Sequence, residues 1–236
     1  MSEWAQKRFW TQTAVLDTDG GFGIGLDGRQ VKTPAKAALT VPTRALAEAI
    51  VLEWDAQTEL VDPTQMPMTR MANSAIDKVA VQRTEVADLL ADYGDSDLLC
   101  YRAERPEGLI ARQAEAWDPL LDWAARTLGA RLEPRTGVMP KPQDPAALAA
   151  LRGDVHRMDP FTLAAFHDLV ALSGSLVIGF AALHGQSSGD NLWAISRIDE
   201  AWQEDQWGED EEAQQTAEIK KSAFLDALKF HALCSE

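Results

Sequence analysis

Only two cysteines, Cys100 and Cys234, occur in the 236 residues. A disulfide framework is therefore out of reach, and neither residue has a second cysteine at the C-x-x-C spacing of zinc or redox sites, so a reducing compartment is expected. Histidine is scarce as well. His156, His167, His184 and His231 include no i, i+4 pair that would offer two imidazoles to one ion, and neither a metal nor a cofactor is expected. Cations are outnumbered, 22 Lys and Arg against 37 Asp and Glu, for a formal charge of −15. Such a surface repels phosphate backbones and anionic lipid, which argues against nucleic acid and membrane and favours a neutral or basic partner. Long apolar runs are missing too. The longest stretch free of Asp, Glu, Lys, Arg and His, Leu169 to Leu183, falls short of the roughly 17–25 residues of a membrane span, and Ser173-Gly174-Ser175 interrupts it, so it reads as a buried helix pair. The opening MSEWAQKRFW has no apolar segment and no small-residue cleavage site, so no secretory signal is expected.

Core material is plentiful, with 46% hydrophobic residues, and its periodicity changes along the chain. From Phe9 to Lys32, short alternating runs are separated by Asp19-Gly20-Gly21 and Asp27-Gly28, the signature of tight hairpin turns in an antiparallel meander. A strand over Ala38–Val41 leads to a helix opened by Pro42, with Leu46, Ile50 and Trp54 at i, i+4 and i+8. Proline breaks the chain between Pro63 and Pro67, and the helical period dominates from Thr69 onward. One long helix starts at Pro106 and stops at Gly129, with a stripe of Leu109, Ile110, Gln113, Trp117, Leu120, Leu121, Ala124 and Leu128. Arg131 to Pro145 reads as a proline-rich loop with room for one extended strand. Helices are expected over 145–152, 160–172, 175–183, 192–207 and 211–233. The fold class is α+β: a small β-rich N-terminal domain with one or two helices, residues 1–65, followed by an all-helical C-terminal domain, residues 66–236.

Two motifs fail the structural context their chemistry needs. Gly23-x-Gly25-x-x-Gly28 has the spacing of a dinucleotide cradle, but a strand ending at Pro34 follows it where a helix must open onto the pyrophosphate. Gly185-x-Ser187-x-Gly189 has the spacing of a nucleophile elbow, but helix and not strand precedes it. No catalytic residue is assigned. The eight tryptophans are mostly core in this reading, with Trp54, Trp117 and Trp123 among apolar neighbours. Trp202 and Trp207 stand in a different setting, because every charged residue from Asp199 to Glu212 is acidic. That segment reads either as a solvated acidic face or as a binding surface with aromatic anchors.

A series of segments resembles one family over nearly the whole chain. They are Lys7-Arg8-Phe9, Leu26-Asp-Gly28-Arg29 with Lys32-Thr33-Pro34, Glu53-Trp54-Asp55-Ala-Gln57, and Met66-Pro-Met-Thr69-Arg70-Met-Ala-Asn73-Ser-Ala-Ile-Asp77. Tyr93-Gly94-Asp95-Ser-Asp97-Leu-Leu-Cys100-Tyr101-Arg102 follows, then Arg112-Gln113, Trp117-Asp118-Pro119-Leu120, Ser173-Gly-Ser175-Leu176, Asp199-Glu200, Gln203, Trp207-Gly208 and Glu211. The family is the Atp-twelve family, assembly chaperones for the alpha subunit of the catalytic head of the F-type ATP synthase. The resemblance implies a chaperone and not an enzyme. It would hold the unassembled alpha subunit, prevent its aggregation and release it to the beta subunit, with no cofactor. It also implies a client surface at Glu200, Gln203, Trp207 and Glu211, and structural roles for Trp54, Asp55, Arg70, Asn73, Asp77 and Asp97. The acidic run after Gly208 is heavier than the family pattern. From the residues alone two other readings stand: a small serine hydrolase using Ser187 with His184 or His167, and an acidic adaptor for another basic protein. Localisation would be cytoplasmic for a bacterial chain, which Met1 favours, and the mitochondrial matrix for an organellar one.

Overall fold

The computed structural model describes residues 7–137, 142–208 and 210–235. Met1 and Glu209, on which the localisation expectation and part of the acidic run rest, lie outside them. The chain forms two compact units, one of Met1–Arg83 with Asp159–Ala165 and Lys229–Glu236, the other of Thr84–Met158 with Phe166–Leu228.

In the first unit, β1 (Thr13–Thr18) and β2 (Gly21–Leu26) pair antiparallel with Thr13 opposite Leu26 and Thr18 opposite Gly21. The Asp27-Gly28 turn has positive φ at both residues, 47° and 77°. That backbone is the one whose twist matches a two-residue hairpin, and glycine enters it without steric cost. The turn delivers β3 (Arg29–Gln30) to the edge of β2. Farther along the same strand, β4 (Thr40–Val41) pairs with Phe22 and Gly23. The meander is thus as the sequence indicates. Asp27 also fastens the chain ahead of β1, accepting hydrogen bonds from the Thr11 and Gln12 amides at 3.0 and 2.9 Å. Those donors hold its carboxyl below the ordinary range.

Helix α1 (Arg44–Asp55) is capped by the Thr43 hydroxyl, which accepts from the Leu46 amide. Its buried face of Leu46, Ala47 and Ile50 lies on the sheet. Trp54, the next member of the stripe, is half-buried and meets Trp10 edge-on at 5.2 Å. Helix α2 (Pro67–Ser74) begins at a proline that cannot donate. Its free amides are taken by Glu53 of α1, which accepts from Met68 and Thr69 N–H at 2.7 and 2.8 Å and from the Thr69 hydroxyl at 2.6 Å. A carboxylate at a helix N-terminus satisfies orphan donors and complements the dipole. A π-helical turn, Ala75–Val79, continues α2. There Asp77 accepts from the Thr33 hydroxyl at 2.6 Å and the Ala35 amide at 2.9 Å.

These contacts keep α2 with α1, so the expected boundary at residue 65 falls inside the first unit. Two later segments complete that unit. In them Phe161 stacks on Phe230 at 6.3 Å, and the Thr43 hydroxyl donates to the Leu233 carbonyl.

The second unit contains most of α3 (Arg83–Ala91), then β5 (Tyr101–Arg102), α4 (Glu107–Thr127), β6 (Arg135–Thr136) and α5 (Pro145–Arg157). It continues with the later part of α6 (Pro160–Ser173), α7 (Leu176–Leu183), α8 (Gly189–Ser196), α9 (Ile198–Trp207) and most of α10 (Glu211–Cys234). β5 and β6 make a short parallel ladder, so this part of the chain is not wholly helical. The extended strand foreseen between Arg131 and Pro145 is β6. The expected helix over 192–207 is two helices, because the backbone leaves helical geometry at Arg197 (φ −109°, ψ 16°). Likewise Ser173-Gly174-Ser175 separates α6 from α7.

Helix α7 is buried from Leu176 to Ala182, so its first amides have no water to bond. Asp97, 0% exposed, supplies the acceptor: it takes the Val177 amide at 3.0 Å, the Ser175 hydroxyl at 2.8 Å and the Leu99 amide at 3.0 Å. Burial pushes its carboxyl above the ordinary range even against these donors. Among the described residues no helix is long and apolar enough to cross a membrane.

Candidate interaction surface

Helix α9 carries most of the residues singled out in the sequence, and α4 fixes where it lies. Gln113 is the one polar member of the apolar stripe of α4, and it is buried. Its side-chain carbonyl accepts from the Ala103 amide at 2.9 Å, and its amide donates to Asp199 Oδ1 at 2.6 Å. A buried amide with both ends bonded sets a position more sharply than apolar contact does. The preceding residue, Arg112, pairs with Asp205 of α9 at 2.9 Å. Gly108 completes the fit, because a Cβ there would stand 2.7 Å from Cη2 of Trp202. The helix can receive the indole only where it has no side chain.

Between β5, the segment after it, the start of α4 and one face of α9 runs a groove of about 570 Å3. Tyr101, Pro106, Leu109, Trp202 and Trp207 form its apolar walls. Gln203 and Gln206 add amides on the α9 side, and Arg102 and Arg105 add cations on the other. Trp207 is 81% exposed. An indole of that size is a large exposed apolar surface, the kind that anchors a protein partner.

The four residues expected at the client surface do not all line this groove. Gln203 and Trp207, one helical turn apart, line this groove. Glu200, three residues before Gln203 and seven before Trp207 on α9, lines instead a smaller groove of about 280 Å3 with Arg112, Trp193 and Glu204, and pairs with Arg197 at 2.5 Å. Glu211 is exposed on the first turn of α10 and lines neither. Tyr101, Arg105 and Leu109 were not foreseen. A signal for them existed in the polar Gln113 within an apolar stripe and in the glycine two residues after Pro106.

Of the residues given structural roles, Asp77 and Asp97 tie segments together as described. Asp55, exposed at the end of α1, pairs with Arg8 at 3.5 Å, and Arg8 also donates to its backbone carbonyl at 2.8 Å. Trp54 packs on Trp10. Arg70 is exposed on α2. Asn73 is half-buried, with its Oδ1 out of water's reach and without a hydrogen-bond donor among the described residues.

The motifs set aside in the sequence occupy the places their context implies. Gly23 and Gly25 lie in β2, and a strand, not a helix, follows Gly28. Ser187 lies between two helices, and its hydroxyl accepts from Asn191 at 2.8 Å. His184 meets the Trp123 ring at 5.5 Å, and His167 lies 2.9 Å from Asp168. Neither histidine bonds Ser187 among the described residues. No group of three or more His, Cys, Asp or Glu among them could hold a metal ion. Cys100 and Cys234 are free thiols, each pushed up to about 12 chiefly by burial.

Comparison with known proteins agrees with this architecture. A match to the family described as ATP12 chaperone protein spans residues 7–125. Protein atp12, mitochondrial, from Schizosaccharomyces pombe is 29% identical over 219 residues, which are 88% of this chain and 75% of that protein. The crystal structure of Atp12 from Paracoccus denitrificans superposes with a TM-score of 0.94 at 49% identity, covering 97% of this chain and 98% of that one. The Atu1473 protein of Agrobacterium tumefaciens superposes with a TM-score of 0.92 at 42% identity, covering 96% and 85% of the two chains. With the β meander, the helical second unit and the family match in agreement, the chain belongs to the ATP12 chaperone family.

Proposed function

We propose that this chain is an assembly chaperone of the F-type ATP synthase that binds the unassembled alpha subunit, keeps it from aggregating and yields it to the beta subunit. Family membership supports the assembly role. The observation in this chain that supports client binding is the groove of the second unit, with Trp207 exposed at its rim and Trp202 in its wall. An unassembled subunit exposes apolar faces meant for its neighbours, and such faces aggregate unless covered. The chaperone needs only to bind that state more weakly than beta does, so that exchange runs forward by mass action. In this reading Gln203 and Trp207 touch the client in the groove, while Glu200 and Glu211 contribute charge outside it. The compartment is the bacterial cytoplasm, or the mitochondrial matrix if the chain is organellar.

Co-expression with the alpha subunit of the same organism, followed by size-exclusion chromatography, tests this directly. Alpha should co-elute with the chain and leave it when beta is added, and Trp207→Ala should weaken co-elution without changing the denaturation midpoint. Alpha that stays soluble and unbound would overturn the proposal. The reading is also non-enzymatic: a serine-directed covalent probe should leave Ser187 unmodified, and labelling there would reinstate the hydrolase.

A further inference from the structure

We propose that the client segment seated in the groove carries a carboxylate that Arg105 binds, a charge pairing opposite to the one the acidic surface suggests. The inference rests on the groove being the client site. The chain has a formal charge of −15, yet the groove lining contains two arginines and a single carboxylate, Asp199. That carboxylate is engaged by the Gln113 amide at 2.6 Å. Arg102 is engaged as well, donating to the Leu99 carbonyl at 2.8 Å, pairing with Asp118 at 2.7 Å and lying over the Trp117 ring at 5.3 Å. Glu104, next in sequence to Arg105, points elsewhere: its Oε1 would stand 2.9 Å from a Cβ on Gly137. Arg105 is exposed and makes neither a hydrogen bond nor an ion pair among the described residues.

The groove therefore offers apolar walls, two amides and one uncommitted guanidinium. A guanidinium beside an apolar, partly desolvated wall recognises a carboxylate through two parallel N–H···O bonds, and it does so more selectively than an ammonium. The occupant that fits is an apolar segment with an Asp or Glu at one end. Its apolar side chains lie against Trp202 and Trp207, and its backbone is within reach of Gln203 and Gln206. A basic segment would leave Arg105 facing a like charge, which costs affinity and so excludes it.

The test uses the full chain and the full alpha subunit, with capture measured by size exclusion for the wild type and for Arg105→Glu, Arg105→Lys and Trp207→Ala. Arg105→Glu should lower capture about tenfold or more, and Arg105→Lys, which keeps the charge but loses the paired bonds, should fall between it and wild type. In the Arg105→Lys chain, carbodiimide coupling should join the new amine to an Asp or Glu of alpha, identified by mass spectrometry. Because Arg105 has no partner to lose and the Trp207 side chain is mostly in solvent, all three variants should share the wild-type melting curve. Should Arg105→Glu misfold, Arg105→Gln gives the same reading with no new charge. If Trp207→Ala weakens capture while the Arg105→Glu and Arg105→Gln variants capture as well as wild type, the carboxylate inference is wrong and the groove reading stands. Capture unchanged in every variant overturns the groove reading and this inference together.

Discussion

Trp202 of α9 lies against α4 where Gly108 leaves the surface bare, its ring 2.7 Å from the position a Cβ would take. The groove wall thus depends on a missing side chain. Gly108→Ala adds helix propensity of about 1 kcal/mol in the first turn of α4, and it displaces the far edge of an indole that can rotate. Denaturation should show a midpoint no lower than wild type, while co-elution with alpha falls. A variant that captures alpha normally would show that the position of Trp202 is immaterial to the client.

The Glu53 carboxylate takes three donors at the start of α2. Glu53→Ala should destabilise the first unit by about 1–3 kcal/mol, the usual cost of leaving such donors unpaired. Hydrogen exchange at the Met68 and Thr69 amides should rise. Protection equal to wild type at those two amides would mean that another group takes over the cap.

Trp54 is half-buried against Trp10, so Trp54→Ala should cost less than the roughly 3–5 kcal/mol of a fully buried tryptophan. About 2 kcal/mol is expected, with part of it shared with Trp10 as an aromatic pair. A double-mutant cycle by urea denaturation measures that coupling, and strict additivity would deny it.

Asp97 is fully buried beneath the start of α7, with a carboxyl raised by desolvation. Its folded state holds the proton more tightly than the unfolded chain does. The associated stability is therefore complete below the ordinary carboxyl range and is lost as pH rises through the raised folded value. Asp97→Asn does not titrate, and its amide turns an N–H toward donors that need an acceptor, at a cost of about 1–3 kcal/mol. Urea midpoints from pH 4 upward should show the gap between wild type and variant widest at the acid end. A gap that widens toward neutral pH would reverse the sign assigned to the group.

Both thiols titrate near 12 instead of the ordinary 9.0. At pH 8 the thiolate fraction is then about a thousandfold lower than in an unfolded chain. Alkylation in native buffer should be slow for both residues and fast in urea. Rapid labelling of Cys234 without denaturant would reveal local opening at the end of α10.

The elements with short-range signals were readable from the sequence. Asp27-Gly28 favours a tight turn by its own backbone preference, the prolines from Pro63 to Pro67 interrupt the chain ahead of the helical period, and the stripe of α4 is long enough to be unambiguous. The split at Arg197 was not readable, because 192–207 has neither glycine nor proline inside it. The first unit was not readable either. Its boundary depends on Glu53 reaching Thr69 and on Phe161 meeting Phe230, pairings between distant positions that no local pattern announces. At the surface, the family resemblance put Glu200, Gln203, Trp207 and Glu211 in one set. Glu200, Gln203 and Trp207 stand at i, i+3 and i+7 on α9, within one helical face, while Glu211 lies on the next helix; what the spacing could not supply is which groove each residue lines.

The last residues of the chain close the unit that its first residues begin, through Phe230 against Phe161 and the Leu233 carbonyl on Thr43. A chain cut after Leu228 would lose the stacking partner of Phe161 and the acceptor of the Thr43 hydroxyl, while every residue that lines the groove, from Tyr101 to Trp207, would remain. Limited proteolysis of such a chain should therefore attack the β meander and α1 before it attacks the groove.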